Sequence, residues 1–135
     1  MYLASHLVRK GEGMNKRPYI LAAEDEPMNR AVIEELLSDD FELTCVENGL
    51  ECLKSLNKRV PDLILMDVYM PLLGGLDTTR EIRTKPEFSS IPIIMVSSLA
   101  SAKEIEQGKL AGANDYVTKP FTDEQLLTVI SQHIY

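Results

Sequence analysis

The sequence has no tryptophan, only three phenylalanines and only two cysteines among 135 residues. Cys45 and Cys52 are too few and too close together for the disulfide framework of a small secreted scaffold, and neither sits in a Cys-x-x-Cys pair of the kind that ligates zinc. They read as two reduced, buried thiols of a cytoplasmic protein. Long apolar runs are also missing: Leu63–Met66 and Ile91–Val96 fall far short of the ~20 residues that cross a bilayer. No membrane partner is therefore expected. Clustered cations are absent as well. With 14 Lys+Arg against 21 Asp+Glu the chain carries −7, and a nucleic-acid surface needs gathered Lys and Arg to displace counterions from phosphates. Direct nucleic-acid binding is excluded on that ground.

What is present is composed like a globular protein, 44% apolar and long enough for one domain that buries roughly two-thirds of its unfolded surface without a staple. Residues 1–15 stand apart. Met1 to Gly13 are basic for their length, lack a continuous apolar signal core, and stop at Gly11-Glu12-Gly13 before a second methionine, Met14. They read as an expression leader or disordered extension, in preference to an amphipathic docking helix too short to be stable in water. The domain is expected over 16–135.

From Pro18 onward short apolar runs alternate with amphipathic stretches. Tyr19-Ile20-Leu21-Ala22-Ala23 reads as a buried strand ending at Glu24-Asp25-Glu26. Pro27 suits a first helical turn, and Met28, Val32 and Leu36 with Ile33 and Leu37 give an apolar face at helical spacing, closed by Ser38-Asp39-Asp40. Phe41–Val46 alternates as a strand near a sheet edge should, Asn48-Gly49 reads as a turn, and Leu50, Leu53 and Leu56 mark a second helix. Leu63-Ile64-Leu65-Met66 is apolar throughout, as in a central strand covered on both faces, and ends at Asp67. After the loop Met70–Gly75 comes a helix with Leu76, Thr79 and Ile82. Ile91–Val96 is the next strand, delivering Ser97 and Ser98. Ala102–Ala111 is a weak helix diluted by Gly108 and closed by Gly112. Asp115–Thr118 is a last strand, and Thr122 caps a final helix with Leu126, Leu127, Ile130 and Ile134 on one face.

Five strands alternating with five helices argue for a parallel sheet with helices on both sides, in which ligands bind beyond the carboxyl ends of the strands. The chemistry-bearing residues fall there: Glu24-Asp25 after the first strand, Asp67 after the third, Ser97-Ser98 after the fourth, Thr118-Lys119-Pro120 after the fifth. On adjacent strands, three carboxylates would meet one hydroxyl and one ammonium. Two like charges ~4 Å apart repel by about 4 kcal/mol at an effective dielectric near 20, and Lys119 alone cannot compensate three. A hard divalent cation with oxygen ligands, such as Mg²⁺ keeping several waters, is the natural partner.

Residue by residue, Lys16 to Tyr135 resembles the receiver domain of a two-component response regulator. The likeness rests on Glu24-Asp25, on Pro61–Asp67 with Met70-Pro71 and Gly75, on Ser97, and on Ala111–Phe121 (AGANDYVTKPF). The resemblance implies a flavodoxin-like fold with the five parallel strands in the order 2-1-3-4-5. It implies that Asp67 is the phosphoacceptor, taking a phosphoryl group from a sensor histidine kinase, a histidine phosphotransfer protein or a small acyl phosphate. Mg²⁺ would be held by Asp25, Asp67 and the main-chain carbonyl of Tyr69, with Glu24 reaching it directly or through water. Lys119 and the Ser97 hydroxyl would each bind a phosphoryl oxygen, and Ser98, where the family prefers a small residue, would leave room for the donor. Ser97 and Tyr116 would be the switch, altering the surface of the fourth helix, fifth strand and fifth helix toward a downstream effector, as a monomer or a phosphorylation-dependent dimer. The Lys119-Pro120 bond would be cis. Glutamate for the more frequent aspartate at Glu24, and serine for threonine at Ser97, depart from the family pattern.

Glu26 reads as a solvated residue at a helix start, and His6 and His133 as surface residues. A turnover enzyme is not expected: an aspartyl-phosphate phosphatase of the haloacid dehalogenase class would carry a second aspartate where Tyr69 stands. An adaptor independent of phosphorylation is disfavoured by the intact Asp25, Asp67, Ser97 and Lys119. Neither Tyr69 nor Leu99 can orient an attacking water, so slow self-dephosphorylation is expected. The chain reads as a stand-alone regulator or as a receiver from a longer regulator or hybrid kinase.

Overall fold

Burial patterns separate the strands into central and edge members before any pairing is considered. A computed structural model describes residues 17–134, so the expected leader over 1–15 and His6 lie outside the described residues. In β1 (Tyr19–Ala23), β3 (Leu63–Asp67) and β4 (Ile93–Ser97) every residue is buried, as continuous apolar runs require when both faces are covered. In β2 (Glu42–Val46) every residue is half-buried, and β5 (Asp115–Thr118) is mixed. The sheet is parallel throughout in the order β2-β1-β3-β4-β5, the flavodoxin-like arrangement expected, with β2 and β5 at its edges.

The helices are α1 (Pro27–Leu37), α2 (Gly49–Lys58), α3 (Gly75–Arg83), α4 (Ala102–Ala111) and α5 (Asp123–Ile134), with a short 3₁₀ turn at Pro86–Phe88. Alternation along the strands splits the core in two. Ile20, Ala22, Leu63, Leu65, Ile94 and Val96 pack with Ile33, Leu37, Leu126 and Ile130 of α1 and α5. Leu21, Ile64, Met66, Ile93 and Met95 face the other way, onto Cys52 and Leu56 of α2 and Ile82 of α3. Each fully buried leucine or isoleucine here contributes on the order of 2 kcal/mol.

Several local expectations are corrected. Asn48-Gly49 does not turn the chain between elements. Asn48 caps α2, its side-chain oxygen accepting the Glu51 N–H at 2.9 Å, and Gly49 is the first helical residue. Met28 and Val32 are not part of the core face of α1, being 79% and 51% exposed; Ile33 and Leu37 alone carry its buried face, joined by a half-buried Leu36. Leu50 is likewise exposed, and Cys52 takes the core position expected of it. The fourth strand starts after Pro92 and includes Ser97. Of the two free thiols Cys52 is buried but Cys45 only half so, and burial pushes them up to about 12 and about 11. His133 is half-buried and pairs with Asp115, 2.9 Å between Nε2 and Oδ2. The ends of α4 and α5 are as expected: Gly112 takes the left-handed conformation (φ 117°) that only glycine adopts without penalty, and Thr122 Oγ1 accepts the Gln125 N–H at 3.1 Å. Among the described residues no helix is long and apolar enough to cross a membrane.

One residue that the sequence did not mark ties the end of α3 to the segments that lead into β4 and β5. Arg83, last in α3, donates to the carbonyls of Gly112 (2.9 Å), Phe88 (3.2 Å) and Ser89 (3.3 Å) and to Asn114 Oδ1 (2.8 Å). Asn114 Oδ1 also receives the Ile93 N–H at 2.8 Å, tying the start of β4 to the approach into β5.

Candidate functional site

Strand register brings the acidic residues together. Ala23 pairs with Met66, so Glu24 comes level with Asp67 across the β1–β3 boundary. Asp67 pairs with Val96 and Ser97 with Thr118, so Ser97 and then Lys119 follow one step further along. Carboxylate oxygens of Glu24, Asp25 and Asp67 all lie within 4.8 Å of one another. Glu24 and Asp67 are buried, and Asp25 is partly open to solvent.

Lys119 reaches across the sheet into this cluster. Its Nζ lies 2.7 Å from Glu24 Oε1 and 3.3 Å from Asp67 Oδ2. Glu24 Oε2 accepts the Glu26 N–H at 3.1 Å, so the longer glutamate side chain spends both oxygens inside the protein rather than pointing away. These contacts divide the proton affinities. Burial, followed by the neighbouring Glu24 charge, pushes the Asp67 carboxyl up to about 7. For Glu24 burial acts upward too, but the bonds from Lys119 and the Glu26 amide outweigh it and hold the group below the usual carboxylate range. Burial pulls the Lys119 ammonium down, and its two carboxylate partners more than restore it.

Three carboxylates against one ammonium leave a net negative pocket with Asp25 at its open side. All the donors are hard oxygens, and the set fits a hard divalent cation. Tyr69 follows Asp67 by two residues and is 57% exposed, so it belongs to the rim.

Ser97 and Tyr116 are joined to each other rather than to the carboxylates. The Ser97 hydroxyl is buried and accepts the Leu99 N–H at 3.2 Å, while the Tyr116 hydroxyl donates to the Leu99 carbonyl. Leu99 thus links the two residues expected to form the switch. Ser98 is exposed and, with Glu24, Asn29, Val32, Lys119 and Phe121, borders a cavity of about 320 Å³ beside the acidic cluster. The Lys119-Pro120 peptide is cis.

Two supporting contacts are not legible in the sequence. Gly75 carries a motif there but no reason; a β-carbon on it would lie 2.1 Å from the Asp67 carbonyl oxygen, so the start of α3 can pass behind the end of β3 only without a side chain. Arg30 of α1 donates to the Glu24 carbonyl at 2.9 Å, a contact that no spacing rule announces.

The chain is similar to known proteins in sequence and in fold. The chain is 33% identical to the chemotaxis protein CheY of Halobacterium salinarum over 114 residues, covering 83% of this chain and 92% of that protein. It is 34% identical over 119 residues to the sensor histidine kinase CheAY of Helicobacter pylori, covering 85% of this chain but only 15% of that protein. Among solved structures, the receiver domain of sensor histidine kinase PA1611 from Pseudomonas aeruginosa, with a magnesium ion coordinated in its active site cleft, superposes with a TM-score of 0.82 at 35% identity, covering 88% of this chain and 98% of that one. Residues 20–131 match the family model of the response regulator receiver domain, and with the strand order and these relatives the chain belongs to that family, the receivers of two-component systems.

Proposed function

We propose that this receiver accepts a phosphoryl group on Asp67 from a phosphohistidine of a sensor histidine kinase or histidine phosphotransfer protein, and so alters its affinity for a downstream effector. The observation that carries the reading is the Asp67 carboxylate, buried at the end of β3 beside Lys119 and clustered with Glu24 and Asp25. An Asp67 oxygen attacks phosphorus in line, the phosphorus–nitrogen bond of the donor breaks, and the departing imidazole keeps the bonding pair and takes up a proton. Asp25 and Asp67, with the Tyr69 carbonyl and Glu24 nearby, would hold Mg²⁺, which when bound offsets the repulsion between anionic nucleophile and donor and stabilises charge on the transferring oxygens.

Lys119 is already charged and aimed at Asp67, so it can bind a phosphoryl oxygen once it shifts away from Glu24. Ser97 would supply a hydrogen bond to another oxygen. Turning toward that oxygen withdraws the acceptor from the Leu99 N–H, and Leu99 is the residue whose carbonyl holds the Tyr116 hydroxyl. A change at phosphorus can therefore reach the α4–β5–α5 side through one loop residue. Exposed Met28 and Val32 on α1 give an apolar approach beside the acidic pocket for the donor protein. Autophosphorylation with Mg²⁺ is self-modification, not turnover of a metabolite.

The test is intact-mass spectrometry after incubation with acetyl phosphate and Mg²⁺. Addition of one phosphoryl mass to the parent and none to Asp67→Asn is expected. No addition to a folded parent chain would refute the reading.

A further inference from the structure

We propose that Arg30 is a positioning residue for the cation-binding carboxylates, acting on main chain rather than on charge. Glu24 and Asp25 sit on the segment between β1 and α1, and ligand oxygens there are only as well placed as that backbone. The segment is held from both sides. The Glu24 N–H donates to the Val46 carbonyl at 2.9 Å, which prolongs the β1–β2 ladder by one residue, and the Glu24 carbonyl accepts from Arg30 Nη1 at 2.9 Å. Arg30 is anchored in α1 by its own N–H to the Glu26 carbonyl at 3.0 Å, so its guanidinium staples the first turn of the helix back onto the strand end. Its side chain is 19% exposed, and its ion pair, Nη2 to Glu47 Oε1 at 3.9 Å, is long and involves an exposed carboxylate. The work of the guanidinium is therefore the carbonyl bond.

Lys119 differs in kind, since it sits on the ligand oxygens themselves. This contrast gives the proposal a sign. Were Arg30 only a nearby positive charge, removing it would make the pocket more negative and tighten cation binding. As a staple, removing it loosens the Asp25 backbone and weakens binding; supporting groups of this kind typically cost tenfold or more in metal affinity.

The inference rests on the metal reading above, and the experiment separates the two. Mn²⁺ binding to the full chain, followed by the electron paramagnetic signal of the free ion, is compared for the parent, Arg30→Ala, Arg30→Lys and Glu47→Ala, with circular dichroism reporting folding. Arg30→Ala is expected to weaken Mn²⁺ binding about tenfold. Arg30→Lys, which can still donate to the carbonyl, should recover most of the affinity, and Glu47→Ala should match the parent. Should the alanine variant not fold, Arg30→Met keeps the stem, loses the donors and is read in the same way. Unchanged or tighter binding in the folded variant overturns the assignment alone. A parent chain that takes up no Mn²⁺ overturns the metal reading and the assignment together.

Discussion

Replacing Asp67 by asparagine should make the metal-free protein more stable, by an amount that depends on pH. The neighbours that suit Asp67 for accepting a phosphoryl group make it a costly carboxylate without one. Its ordinary value of 3.8 is raised to about 7 by burial and by the Glu24 charge. Because the folded state holds this proton more tightly than the unfolded state, stability is fully present below pH ~4 and falls as pH rises through ~7. Keeping the carboxylate ionised above that range costs on the order of 4 kcal/mol as an upper limit. Glu24 shifts the opposite way and shares Lys119, which reduces the expected gain for Asp67→Asn to about 2–4 kcal/mol at pH 8 and about 1–2 at pH 5. Urea unfolding in EDTA at the two pH values measures it, and at roughly 4 °C per kcal/mol the pH 8 difference in Tm is about 10 °C. Mg²⁺ at ten times its Kd should return about 1.4 kcal/mol to the parent and less to the variant, which has lost a ligand. A variant less stable than the parent at pH 8, or a gain no larger at pH 8 than at pH 5, would refute the electrostatic reasoning.

Other expectations follow from particular contacts. Tyr69→Asn should shorten the lifetime of the phosphorylated protein severalfold, because a carboxamide can orient water where an exposed phenol cannot; loss of phosphoryl label in Mg²⁺ buffer measures it, and a parent half-life of seconds would count against the argument. Arg83→Ala should cost about 2–3 kcal/mol in urea unfolding, since four acceptors lose a charged donor, and a loss below about 0.5 would show that they find water instead. Leu72 holds a left-handed backbone (φ 68°) while 78% exposed, so Leu72→Asn should raise stability by about 0.5–1 kcal/mol with no packing lost, and a lower midpoint would contradict this.

The amino-acid sequence alone determined the alternation of strands and helices, because a strand covered on both faces must be apolar throughout and Leu63–Met66 is. It also determined that Glu24, Asp25, Asp67, Ser97 and Lys119 stand at strand ends, since a polar or charged residue interrupts or follows each apolar run there. It misjudged α1, where Met28 and Val32 have helical spacing but face solvent; periodicity identifies an apolar stripe without saying whether core or partner covers it. Only the tertiary structure decided which charges touch. Lys119 and Glu24 are 95 residues apart in the chain and 2.7 Å apart in space, and their pairing leaves Asp67 the weaker share of the ammonium. The Arg30 staple and the bare Gly75 behind Asp67 belong to the same class of fact. Distances set by register between β1 and β3, and by the reach of a side chain across them, are properties of the packed sheet that residue type and spacing do not contain.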